Sequence, residues 1–168
     1  MFFIFDSCDN NQDSRNHWRG IEFINSDSRV TSIMSNKMDS RRSNSAIEHV
    51  IIEYAGQQSD GKLLPALSSI GSVPPHINHL AIYRSAYTAL NITDPINGFE
   101  IMNSKFIENR AYGVYVNTST GRVHLSSVEI EDNGADGVRF VHFDKTDYSS
   151  DNFCETPNLG TSQVFPIK

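Results

Sequence analysis

Apolar residues recur at a constant step of 24 positions through the second half of the chain. One column reads Ile77, Ile101, Leu125, a second Ile82, Phe106, Ile130, a third Leu90, Val114, Val138 and a fourth Ile92, Val116, Phe140. A fifth begins with Phe99 and Val123. Within each copy the apolar residues stand two apart, as in Val114 and Val116, which is the alternation of strands with one buried face. Polar corners such as Asn103-Ser104, Asn109-Arg110-Ala111 and Asn117-Thr118-Ser119 divide each copy into three short strands. Three copies follow one another over roughly 75–98, 99–122 and 123–146.

A fixed period means stacked copies, with equivalent residues one strand spacing, about 4.8 Å, apart. The expected fold is all-β: a right-handed parallel β-helix, a solenoid of coils of roughly 24 residues, its hand following the general preference of parallel crossovers. A leucine-rich repeat has a similar period but needs a Leu-x-x-Leu-x-Leu frame that is absent, and an antiparallel sandwich requires no constant interval. Stacking sets Asn109 over Asn133, where side-chain amides can hydrogen-bond along the column. Ala89, Gly113 and Gly137 share another column, suited to a tight bend where a Cβ would crowd the turn or φ is positive.

Upstream, Ile47-Glu48-His49-Val50-Ile51-Ile52-Glu53-Tyr54 matches the later copies at an offset of 30, Ile47 to Ile77, Val50 to Leu80 and Ile52 to Ile82. The six extra residues fall in the loop at about 57–64. A second polar loop spans about 25–45, after a strand at Gly20-Ile21-Glu22-Phe23. The chain thus divides into an irregular or truncated segment 1–16, a repeat region 17–146 and an irregular tail 147–168. Neither end shows an amphipathic cap, so the reading is a piece of a longer repeat.

Length, 168 residues, fits one domain, and 38% apolar content suits a slender core. Serine and asparagine fill 36 positions, favouring turns and corners over long helices. A net charge of −6 argues against a nucleic-acid partner. No apolar run approaches the roughly 20 residues of a membrane span, and Met1-Phe2-Phe3-Ile4-Phe5 is too short for a signal-peptide core. Cys8 and Cys154 lie at opposite ends of the expected stack, about 20 Å apart by strand spacing, which is beyond disulfide reach. They are either free or paired outside this chain.

Candidate chemistry lies on outward columns. His76, Glu100 and His124 share one and are weak metal candidates; the bland alternative is a solvated ladder. The turn Asp132-Asn133-Gly134-Ala135-Asp136-Gly137 is acidic but departs from an EF-hand frame. Glu108 and Asp132 share a column with Arg84 and could meet the carboxyl spacing of a polysaccharide hydrolase or lyase of the pectin-lyase-like kind. Alternating charge is equally what a stabilising ladder would show, and no catalytic residue or cofactor is assigned. Asn91-Ile92-Thr93 and Asn117-Thr118-Ser119 are N-glycosylation acceptor sequences, and both asparagines are expected to face outward.

The runs His17-Trp18-Arg19-Gly20-Ile21-Glu22-Phe23, Ile47 to Gly56 through Tyr54-Ala55, and Asn109-Arg110-Ala111-Tyr112-Gly113-Val114-Tyr115-Val116 resemble β-helix segments of the protein bark beetle family. The resemblance covers most of residues 17–146. It implies a large animal cell-surface protein that combines right-handed β-helix repeats with scavenger-receptor cysteine-rich and CUB-type modules and a membrane anchor, associated with tricellular junctions of epithelia. The function so implied is a non-catalytic extracellular scaffold in cell adhesion or junction organisation. Its partners would be other domains of the same protein and cell-surface or junction proteins or glycans. The alternative is a carbohydrate-binding or carbohydrate-cleaving protein.

Overall fold

Strict alternation of buried and outward residues fails at one place in each long strand, and that failure shapes the fold. In β3 (Ala46–Glu53) Ile47, Val50 and Ile52 are buried. Two residues, Glu48 and His49, separate the first pair, and His49 has a φ of 55°. A left-handed residue turns the chain and restores the inward phase after the extra position. The same step recurs in β5 (His76–Tyr83), where Ile77, Leu80 and Ile82 are buried and His79 has a φ of 54°. Asn103 and Ser127 repeat it at φ of 49° and 54°.

The computed structural model describes residues 3–5, 18–24, 45–57, 61–96, 98–118, 123–141, 148–151 and 154–155. A nine-stranded sheet holds β3 and β5 with β1 (Phe3–Phe5), β7 (Phe99–Met102), β8 (Lys105–Ile107), β10 (Val123–Ser126), β11 (Glu129–Glu131), β13 (Tyr148–Asp151) and β14 (Cys154–Glu155). A five-stranded sheet runs β12 (Val138–Val141), β9 (Val114–Asn117), β6 (Leu90–Thr93), β4 (Leu67–Ile70), β2 (Ile21–Ile24). All pairings between these strands are parallel, and no helix occurs among the described residues.

The expected right-handed parallel β-helix is therefore corrected. The described strands form two parallel sheets that do not close into a solenoid. The reason lies at the Asn103-Ser104 corner: it separates β7 from β8, as expected, but leaves both strands in the same sheet. β5 is continuous across the equivalent position: its first half pairs with β7 through Ile77 and Ile101, its second with β8 through Ala81 and Lys105. His79 bends β5 without ending it, and β5 thereby joins β7 and β8, so two of the three strands in each copy belong to one sheet.

The 24-residue columns coincide with strand register. Ile77 pairs with Ile101 and Ile101 with Leu125; Ile82 pairs with Phe106 and Phe106 with Ile130; Leu90 pairs with Val114 and Val114 with Val138. Inward residues of both sheets meet in one core, to which Ile52, Ile82, Phe106, Ile92, Val116 and Ile130 each contribute a fully buried side chain. Burial of each such side chain is worth about 1.5–3 kcal/mol. Val138 and Phe140 on β12 are only partly buried against that core. Trp18 ties the chain before β2 to the core, its Nε1 donating to the Glu53 carbonyl at 2.8 Å and its backbone bridging Ala55.

Candidate functional surface

Because inward positions are committed to the core, chemistry is confined to the outward columns and the two bends. On the nine-stranded sheet His124 pairs with Glu100, as the 24-residue step requires. His76 stands at the start of β5, which pairs with β7 at the same 24-residue step; on the β3 side it pairs with Ala46, and its Nε2 lies 3.9 Å from Glu48 Oε1. Among the described residues no three His, Cys, Asp or Glu side chains are grouped to hold a metal ion. A different histidine pair is in contact. His49 and His79 stack with ring centroids 4.5 Å apart and planes 28° from parallel. The 30-residue step from Ile47 to Ile77 also links His49 to His79, so the signal lay in a column not followed outward.

A second left-handed bend carries Tyr54, Arg84, Glu108 and Asp132, with φ between 50° and 57°. Arg84 Nε donates to Glu108 Oε2 at 2.7 Å, its Nη1 to the Tyr54 hydroxyl at 3.4 Å, and its guanidinium carbon lies 6.0 Å from the Tyr54 ring centre. The hydrogen bond to Glu108, then that to Tyr54, raises the Arg84 pKa above its ordinary value. Glu108 is thus engaged by a cation in an exposed ladder. A proton-donating carboxyl of a glycosidase is instead made by an environment that favours its neutral form. Lys105 and Glu129 form a like pair three positions before that column, and the contact raises the lysine pKa.

The acidic turn after β11 divides between interior and surface. Asn133 is buried and directed to Asn109, whereas Asp136 pairs with Arg139 at 3.5 Å. Gly113 owes its place to close packing, since a Cβ there would stand 2.6 Å from Ile130 Cγ2 and 2.7 Å from the Gly137 carbonyl. It does not have a positive φ. Gly137 accepts the Val114 N–H at 2.8 Å and Gly113 the Leu90 N–H at 3.1 Å, while Ala89 donates to the Tyr112 carbonyl as Gly113 does to that of Asp136.

On the five-stranded sheet Asn91 is half-buried on the outward face, directly beside Tyr115, which in turn neighbours Arg139. Asn117 ends β9 next to Thr93 and is also half-buried. Thr118 is buried, and Ser119 lies outside the described residues. The same holds for Cys8, while Cys154 is placed by its backbone, in β14 beside Glu129.

No family model matches the chain. No solved structure matches it either. Protein bark beetle of Drosophila melanogaster is 34% identical over 157 residues, which cover 90% of this chain and 5% of that relative. The chain therefore spans about one-twentieth of the length of the curated relative it matches. With identity at this level across nine-tenths of its residues, the chain belongs to the Protein bark beetle family.

Proposed function

We propose that this chain is a non-catalytic scaffold segment of an extracellular, cell-surface protein that works in cell adhesion or in organising tricellular epithelial junctions. The observation that carries the reading is family membership across nine-tenths of the chain. The outward columns support it. Arg84 with Glu108, and Lys105 with Glu129, bind neighbouring strands to each other. Such cross-strand pairs stiffen a surface and need no substrate. Partners in this reading are the remaining domains of the same protein and proteins or glycans of an apposed surface.

A carbohydrate-binding or carbohydrate-cleaving role is the competing reading, and it rests on Glu108 and Asp132 sharing a column. One pair of experiments separates the two. The full-length protein lacking the segment equivalent to residues 46–141 is expressed in epithelial cells, with surface biotinylation as a control for export. The expected result is protein at the surface that no longer concentrates at three-cell contacts. Reproducible release of reducing ends from uronic polymers by this chain, lost on Asp132→Asn, would overturn the scaffold reading.

A further inference from the structure

Asn91 is set between two buried residues of β6, Leu90 and Ile92, so its side chain faces away from the core. Thr93 Oγ1 donates to Asn91 Oδ1 at 3.2 Å. That bond fixes the planar amide with its carbonyl toward the threonine and its Nδ2 on the opposite side. Across the strand gap stands Tyr115, whose Cβ lies within about 5 Å of that of Asn91 by the spacing of paired residues. The Tyr115 ring adjoins that of Tyr112, with centroids 5.5 Å apart and planes tilted by 44°. Both tyrosines are half-buried. On the far side of Tyr115 the pair Arg139 and Asp136 offers donors and acceptors.

An amide that lies in an acceptor sequence, turned outward, is here bordered by an aromatic shelf with a polar rim. We propose that Asn91 carries an N-linked glycan whose first N-acetylglucosamine rests on Tyr115 and Tyr112. In the transfer, Asn91 Nδ2 forms a bond to C1 of the sugar and gives up one proton to the transferase. The bond from C1 to the diphosphate of a lipid-linked oligosaccharide donor breaks, and the lipid diphosphate leaves. The C–H face of the sugar then covers aromatic surface that would otherwise meet water, an interaction suited to the electron-rich ring face. Its hydroxyl and acetamido groups lie within reach of Arg139 and Asp136.

The modification rests on the extracellular reading for its occurrence in the native protein, but its test does not. The 168-residue chain is placed behind a heterologous secretion leader, so a failure of junctional targeting leaves the result intact, and the reverse holds too. Translation with microsomes is expected to give a glycosidase-sensitive mass shift that is lost on Asn91→Gln and on Thr93→Ala. On purified secreted protein, the melting temperature is expected to fall by about 2 °C when the glycan is absent through Asn91→Gln. In a Tyr115→Ala background the same comparison is expected to show no fall, with Tyr115→Leu as the substitute if that variant does not fold. An unmodified Asn91 overturns the proposal. A glycan that stabilises equally with and without the Tyr115 ring overturns its seat.

Discussion

Asn109 donates through Nδ2 to Asn133 Oδ1 at 2.8 Å, and the same oxygen accepts the Asn109 backbone N–H at 3.0 Å. The unit repeats one strand earlier, where Asn109 Oδ1 accepts the Ser85 N–H at 3.0 Å. Each amide also donates inward, Asn109 to the Ile82 carbonyl and Asn133 to that of Phe106. All of these groups are buried, so the column satisfies backbone polarity at a corner where no strand ladder can.

Asn133→Ala removes the acceptor for two Asn109 donors and the donor for the Phe106 carbonyl at once. Leaving buried groups unmatched costs about 1–3 kcal/mol each, partly recovered by relaxation, so a loss of roughly 2–4 kcal/mol is expected in urea unfolding. A loss below about 0.5 kcal/mol would show that water replaces the amide without penalty.

Gly113 is expected to reject a methyl group for steric reasons. Its Cβ would meet Ile130, the Gly137 carbonyl and, at 3.1 Å, Asn133 Nδ2. Gly113→Ala should destabilise by about 2 kcal/mol, as overpacking does. Adding Ile130→Leu, which moves the branch from Cβ to Cγ and so removes the Cγ2 methyl at the contact, should restore part of that loss. Thermal unfolding of the single and double variants tests the coupling.

Lys105 titrates above its ordinary 10.5, chiefly because of its hydrogen bond to Glu129. A folded-state pKa above the unfolded one means that the stabilisation is fully present below the ordinary lysine value and is lost as pH rises through the folded value. Both side chains are well exposed, so Lys105→Met is expected to cost less than about 1 kcal/mol at neutral pH. The difference from the unmodified chain should hold through mildly alkaline pH, vanish above the lysine range and shrink in high salt. Denaturant midpoints across pH and ionic strength are the measurement.

Parallel pairing was legible in the sequence wherever the step stayed constant, as in Ile101 with Leu125 and Phe106 with Ile130. β4 was harder to see because Leu67 pairs with Leu90 at a step of 23, and Ile21 with Leu67 at 46. A column search at 24 passes over both. The two-sheet arrangement was hidden for a different reason: Asn103-Ser104 has the composition of a corner and does separate β7 from β8, but both strands pair with the single strand β5 and so share its sheet. Outward chemistry was legible as columns, not as contacts. Register places Glu100 beside His124, but side-chain torsions decide that His76 leans toward Glu48.

That lean bears on zinc. A shared site needs imidazole nitrogens and a carboxylate converging at about 2.0–2.2 Å from one ion, whereas His76 is drawn toward β3 and His124 lies on β10. Calorimetry is expected to show no saturable zinc binding, and His76→Ala should leave the titration unchanged. Saturable binding lost in that variant would mean that the column rearranges around an ion.

The left-handed bends supply the last prediction. His49, His79, Asn103 and Ser127 occupy one bend column, and Tyr54, Arg84, Glu108 and Asp132 the other, all with positive φ. For an L-residue this conformation costs roughly 1–2 kcal/mol, less where a short polar side chain bonds locally. Ser127 is exposed, so substitution there isolates the backbone contribution. Ser127→Gly removes the steric cost but adds freedom to the unfolded chain, for a net gain of about 0.5 kcal/mol. Ser127→Val places a β-branched side chain at positive φ and should destabilise by roughly 1–2 kcal/mol. The opposite signs at one exposed site form the test. If both variants unfold at the same denaturant concentration as the parent, Ser127 does not hold a left-handed bend in solution, and the turn between β10 and β11 needs another explanation.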